Sequence, residues 1–234
     1  IYCNDKGEYS TYMSDRYGFN NPDYEWDKEN IDFLLVGDSF VHGACVNRPY
    51  DIASQMRENG KYSALNLGYW GNSTLAEYAT LREYLKPGVK NILFFYYEND
   101  LFSLNNETSF AVLNEYLKNK SFSQNLIKNQ KQIDKKIESK INLRVRKYYQ
   151  AQKINFNHIF KLKKTRQKIF KDKLSYISIY DTYINNQTRE TFEKILEEVK
   201  KMFVKKNSNL YFVYLPLIIN KDVNLKNLNQ NYKE

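Results

Sequence analysis

Ile31-Asp-Phe-Leu-Leu-Val-Gly-Asp-Ser-Phe-Val-His-Gly43 is the stretch on which the reading of this chain turns. Phe33, Leu34, Leu35 and Val36 form an unbroken apolar run, the pattern of a strand buried on both faces of a parallel sheet. Gly37 frees the backbone for a sharp turn, and Asp38 and Ser39 follow at once. A hydroxyl at the C-terminal end of a parallel strand stands where open α/β sheets hold their ligands. The same residues alone also describe a strand followed by an ordinary serine helix cap.

Outward from this stretch the pattern repeats. A strand is predicted over about Asp32–Val36. A helix from Pro49 to about Asn59 follows, with Ile52, Ala53 and Met56 as its apolar stripe and Asn59-Gly60 as its stop. Tyr62–Leu67 reads as a second strand, and Gly68-Tyr-Trp-Gly-Asn-Ser73 as the turn after it. Ser73 or Thr74 is placed to cap a helix that carries Leu75, Tyr78, Ala79, Leu81 and Leu85 and closes at Pro87-Gly88. Val89–Tyr97 is a third strand, ending in the turn Glu98-Asn99-Asp100. Later, Thr188–Val204 shows one apolar helix face through Phe192, Ile195, Leu196, Val199, Met202 and Phe203, and Leu210–Leu215 is a fourth strand stopped by Pro216. Alternation of strand and helix defines a doubly wound, flavodoxin-like parallel sheet with helices on both faces. Right-handed crossovers would bring the turns at Asp38/Ser39, Gly71/Asn72 and Asn99/Asp100 to one edge and one crevice.

Residues 1–30 read as an irregular, polar lead-in, with Asn20-Asn21-Pro22-Asp23 a turn and Tyr17, Phe19, Tyr24 and Trp26 available to pack on the sheet edge. Residues 101–186 break the alternation and read as a basic helical insertion or lid on a single domain spanning 1–234. The net charge of +9 at pH 7 is concentrated there. Lys118–Lys173 holds 18 lysines and arginines against 3 acidic residues, and the rest of the chain is net acidic. Such a stretch suits nucleic acid, an anionic membrane surface, or simply solvent. The two cysteines, Cys3 and Cys45, and the two histidines, His42 and His158, show no metal-ligand spacing. No apolar run of about 18 residues is present to span a membrane. The first residue is Ile1, which fits a fragment or a processed product.

Taken together, the turns resemble the SGNH (GDSL-type) hydrolases. Gly37-Asp38-Ser39-Phe40 resembles the first block, which carries the nucleophile. Asn66-Leu-Gly-Tyr-Trp-Gly71-Asn-Ser-Thr74 resembles the second, whose last glycine supplies an oxyanion-hole amide. Glu98-Asn99-Asp100 resembles the third, whose asparagine is a further donor. The resemblance covers about 31–100 and 187–216 and leaves the insertion out. It departs from the family in two places. Tyr97 stands where the third block opens with glycine. The final Asp-x-x-His, whose histidine is the general base, has no counterpart after Pro216, where Asp222-Val-Asn-Leu225 has only the aspartate.

The resemblance implies an acyl-ester hydrolase or acyltransferase that works through a Ser39 acyl-enzyme, with Gly71 and Asn99 in the oxyanion hole and no metal or cofactor. Asp38 and Asp100 would brace the turns, and His42, Trp70, Asn72 and Tyr97 would line the pocket. Tyr17-Gly18-Phe19-Asn20 resembles the segment before the nucleophile in bacterial members linked to surface-polysaccharide acetylation. An O-acetylated carbohydrate substrate and a bacterial cell-envelope location are the corresponding expectations. Nucleic acid and a transmembrane segment are not expected. Two alternatives compete with the enzyme. One is an inactive glycan-binding module on the same fold; the other is a nucleic-acid or membrane-surface binder that uses residues 118–173.

Overall fold

The structure, a computed structural model, describes residues 2–3, 9–152, 186–204 and 208–216. The sheet strands are β3 (Ile31–Val36), β4 (Ala64–Asn66), β5 (Val89–Tyr97) and β6 (Asn209–Leu215). They pair in the order β4-β3-β5-β6, all parallel, with Leu34 opposite both Leu65 and Ile92, and Phe94 opposite Phe212. A short antiparallel pair, β1 (Tyr2–Cys3) and β2 (Tyr9–Ser10), precedes them. The helices are α1 (Ser39–His42), α2 (Ile52–Glu58), α3 (Thr74–Tyr84), α4 (Asn99–Glu107), α5 (Ala111–Lys118), α6 (Leu126–Gln152) and α7 (Asn186–Val204). This is an α/β fold.

The sheet separates two apolar layers. Leu34, Val36, Ile92 and Phe94 pack with Leu75, Leu81, Leu104, Tyr116, Ile195 and Val199 from α3, α4, α5 and α7. On the other face Leu35 and Phe95 pack with Val41 and Ala53, beside Ile52 and Met56 of α2. The strand that opened the reading is thus buried on both sides, which is why it carries consecutive rather than alternating apolar residues.

Several boundaries differ from those read in the sequence, each for a local reason. Helix α2 starts at Ile52, not Pro49, because Asp51 caps it through Ser54 N–H at 2.9 Å. Strand β4 begins at Ala64 because Tyr62 N–H still bonds back to Met56 O and Ser63 is held by the Asp32 carboxylate. Asn99 and Asp100 are not an isolated turn but the first residues of α4. Helices α4 and α5 lie in the core layer, with Leu104 and Tyr116 buried, so the projecting part of the chain begins after them rather than at 101. The lead-in is not wholly irregular, for it holds a 3-10 turn at Asp23–Asp27 against the edge strand β4, and Phe19 and Trp26 also pack on Tyr84 of α3. Tyr24 stays exposed. The expected insertion beyond Gln152, with His158, and the segment after Pro216 lie outside the described residues.

Candidate functional site

Four parallel strands place their C-terminal ends on one edge, so the turns after Val36, Asn66 and Tyr97 share it. The first turn is shaped by packing. A Cβ on Gly37 would come within 2.5 Å of Val41 Cγ2 and 3.1 Å of Phe95 Cβ, so glycine is required for α1 to lie directly on β5. Asp38 then caps α1, its Oδ1 accepting Phe40 N–H at 2.9 Å. The Ser39 hydroxyl is half-buried and faces Asp38 Oδ2 at 3.4 Å, a long contact that leaves the hydroxyl weakly held. Burial pushes the Asp38 carboxyl up, and hydrogen bonding from Phe40, Ser39 and the Asn99 side chain opposes that rise. Asp38 is thus held within the Ser39 turn.

The second turn, Tyr69–Asn72, is closed by Asn72 N–H to Tyr69 O at 3.2 Å. Gly71 takes φ +85° at its third position, where a type II turn demands glycine. No atom lies within 4 Å of where its Cβ would be, so the space in front of Gly71 is open. The turn is fastened to the first by Leu67 N–H to Leu35 O at 2.8 Å and Tyr69 N–H to Gly37 O at 3.2 Å. It is fastened to the third by the Ser73 hydroxyl, which donates to Asp100 O at 2.5 Å. Phe40 and Tyr97 meet across the remaining gap with ring centroids 4.6 Å apart. Trp70 is 61% exposed, and the Tyr69 and Phe40 rings are also exposed.

Beneath the turns lies a set of buried carboxyl groups. Glu107, from the end of α4, accepts Ser73 N–H at 2.7 Å on one oxygen, and Leu75 and Ala76 N–H at 2.9 and 3.2 Å on the other. It thereby caps α3, the task expected of Ser73, whose hydroxyl is used on Asp100 instead. Asp100 Oδ2 accepts Tyr97 N–H at 2.8 Å, while burial, with Asp38 and Glu107 nearby, pushes its carboxyl up to about 8. Glu77 of α3 is fully buried, and burial beside Asp100, Asp38 and Glu107 raises it well above the usual carboxyl range.

His42 is fully buried at the end of α1. Its Nδ1 meets Gly68 O at 3.1 Å, and its ring sits edge-on to Tyr12 at 4.7 Å and Tyr69 at 5.6 Å. Burial lowers its pKa, which favours the neutral ring. It ties the first turn to the second rather than facing the crevice.

The polar lead-in performs a similar task. Asn20 Nδ2 donates to His42 O at 2.8 Å and its Oδ1 accepts Arg48 Nε at 2.8 Å. The Asn21 amide both accepts Asn66 N–H and donates to Asn66 O, at 2.8 and 2.9 Å, completing the edge of β4 as a neighbouring strand would. Asn66 in turn donates from Nδ2 to Val41 O at 2.6 Å and accepts Gly68 N–H at 2.8 Å. Asp15 anchors the lead-in by accepting Tyr17 and Phe19 N–H, Asn21 Nδ2 and Trp26 Nε1.

The turns bearing Ser39, Gly71 and Asn99 thus stand together on one sheet edge, with Asp38 and Asp100 beneath and Trp70, Asn72 and Tyr97 alongside. Sequence reasoning passed over Glu77 and Glu107, and read Asn20 and Asn21 as a turn without a partner. The available signal was weak: polar residues in segments predicted to border a buried sheet. Among the described residues no group of three or more His, Cys, Asp and Glu is arranged to hold a metal ion. No helix among them is long and apolar enough to cross a membrane. What the fold and the site define is an α/β protein with three turns gathered above buried acids at the C-terminal edge of its parallel sheet. Compared with protein-family models, curated proteins and solved structures, the chain matches none of them.

Proposed function

We propose that the chain is an SGNH-type serine hydrolase or acyltransferase acting on acyl esters, with an O-acetylated carbohydrate as substrate. The observation that supports this reading is the gathering of three turns at one edge: Leu67 and Tyr69 N–H tie the Gly71 turn to Leu35 O and Gly37 O before Ser39, and the Ser73 hydroxyl ties it to Asp100 O after Asn99. Ser39 Oγ attacks the ester carbonyl as a general base takes its proton, to return it later to the leaving alkoxide, and the carbonyl oxygen becomes an oxyanion. The Ser39 and Gly71 N–H groups and the Asn99 amide are the donors for that charge, each worth about 3–4 kcal/mol of barrier in comparable sites. Collapse expels the alcohol, and water or an acceptor hydroxyl then takes the acyl group from Ser39. The exposed rings of Phe40, Tyr69 and Trp70, carried on and beside the first two turns, offer a sugar ring apolar faces to stack on.

One observation favours the second reading, a non-catalytic glycan-binding module. A serine nucleophile needs a base to take its proton. His42, the histidine three residues beyond Ser39, is fully buried with its Nδ1 against Gly68 O. The two readings separate on covalent labelling by a fluorophosphonate and on hydrolysis of an activated acetyl ester. The enzyme labels at Ser39, and Ser39→Ala abolishes both signals. A chain that neither labels nor hydrolyses, yet binds an acetylated oligosaccharide equally well with and without Ser39, is the binding module.

A further inference from the structure

We propose that α6 is a docking surface for an anionic membrane, separate from the crevice. The helix is rooted firmly. Arg82 of α3 donates to the carbonyls of Tyr116, Lys120 and Phe122 at 2.5–2.7 Å, pinning the loop that leads into it. Glu83 accepts Gln124 and Leu126 N–H at 2.7 and 3.0 Å, at the start of α6, and Leu126 packs on the core. Both anchors lie at the C-terminal end of α3, whose N-terminal end carries the crevice, so the root is remote from Ser39.

From this root α6 runs for 27 residues, about 40 Å. Beyond Ile133 its side chains up to Arg146 are exposed. At 100° per residue, Ile133, Ile137, Ile141 and Val145 share one face. Ile137 is 47% and Ile141 53% exposed, so this apolar stripe is open to solvent. Lys128, Lys135 and Arg146 fall on the opposite face, with Lys131 and Lys136 flanking. Between Leu126 and Arg146 there are seven basic residues against Asp134 and Glu138.

Three occupants could cover such a stripe, and the charge decides among them. A second copy would bring two strongly positive helices side by side, which repel. A nucleic acid would satisfy the lysines but offers nothing to a row of isoleucines. An anionic bilayer matches both, taking the apolar stripe at the acyl boundary and the lysines among its headgroups.

The test is sedimentation of the whole chain with phosphatidylcholine vesicles, with and without phosphatidylserine, at low and high salt. Three proteins are compared: wild type, Ile137→Asp/Ile141→Asp, and Lys128→Gln/Lys135→Gln. All substituted side chains are exposed, and unchanged circular dichroism verifies the fold. The expected result is binding to phosphatidylserine vesicles alone, weakened by salt. The lysine pair should weaken it about fivefold per residue, and the isoleucine pair about tenfold or more per residue. Equal binding to neutral vesicles, or none to either, overturns the proposal. So does indifference to the isoleucine pair, tighter binding of duplex RNA than of vesicles, or a dimer that the isoleucine pair dissociates. None of these outcomes depends on Ser39, so the proposal stands or falls apart from the acyl-transfer reading.

Discussion

Replacing Glu107 should be among the most damaging single changes in this chain, although it lies outside every motif. Its carboxylate serves three backbone N–H groups at the start of α3, at 2.7, 2.9 and 3.2 Å, and both oxygens are used. The first turn of a helix has no internal partners for these donors. Hydrogen bonds to a charged acceptor contribute about 1.5–3 kcal/mol each, and a buried donor left without a partner costs a comparable amount. Simple addition overstates the effect, because the three share one carboxylate and water can enter the space left by truncation. Glu107→Ala should therefore cost about 4 kcal/mol, a large part of the roughly 5–15 kcal/mol that holds an ordinary domain together. Glu107→Gln keeps an oxygen for part of the set and presents an amide to the rest, so about 1–2 kcal/mol is expected.

The assay is equilibrium urea unfolding followed by tryptophan fluorescence, with the slope checked to be unchanged so that the midpoint reports stability. Trp26 sits in the core and Trp70 on the turn just ahead of Ser73, so the two positions report the global and local transitions. A Glu107→Ala protein within 1 kcal/mol of wild type would show that the cap is not what holds the Gly71 turn, and the geometry argued for the oxyanion donors would lose its support.

Three further outcomes are expected. Asn21→Ala removes both bonds to Asn66 and opens the edge of β4; urea unfolding should show a loss of about 2–3 kcal/mol, whereas Asn20→Ala, whose partners are fewer, should show less. Gly71→Ala forces an alanine to φ +85° in open space, so calorimetry should show about 1 kcal/mol of strain, while esterase activity falls further than that through displacement of the amide. Asp100 and Glu77 hold their protons more tightly folded than unfolded, so their contribution is complete below the ordinary carboxyl range and declines as pH rises toward the folded value of about 8 for Asp100; melting temperatures measured across that window should fall with pH in wild type and less steeply in Asp100→Asn.

The strands and the crevice turns were legible in the sequence because each rests on a local signal. Phe33–Val36 is a continuous apolar run, Ile92–Tyr97 another, and Gly71 marks a positive φ. The face of α7 was equally plain from Phe192 to Phe203. Boundaries went astray where a distant group completed the element. Ser73 looked like a cap, but the capping oxygens come from Glu107, 34 residues on. Asn20-Asn21-Pro22-Asp23 looked like a loop, but Asn21 bonds to Asn66, 45 residues away. Helix α4 was missed because Leu-Phe-Ser-Leu-Asn-Asn-Glu has too few turns to show a period, and only Leu104 reaches full burial. No periodicity encodes such long-range polar pairings.

The buried acids pose a conflict that the same geometry resolves. An oxyanion forming beside Ser39 needs positive potential, yet Asp38, Glu77, Asp100 and Glu107 are all close enough to influence one another. Four carboxylates there would oppose the charge that the donors are meant to hold. Burial removes most of that opposition. It raises all four carboxyls toward their neutral forms, and Glu107, where three backbone N–H groups on its two oxygens oppose the rise, is the one best placed to keep its charge. That remaining negative charge faces the N-terminus of α3, whose backbone dipole and free N–H groups neutralise it locally. The floor beneath the three turns is thus polar enough to fix them and, on the proposed acyl-transfer reading, neutral enough for an oxyanion to form above it. The same acids account for the wide spread of the sequence positions involved: a neutral carboxyl is tolerable in a dry interior only when several separate elements enclose it, and here the cap of α1 supplies Asp38, α3 supplies Glu77, and α4 supplies both Asp100 and Glu107.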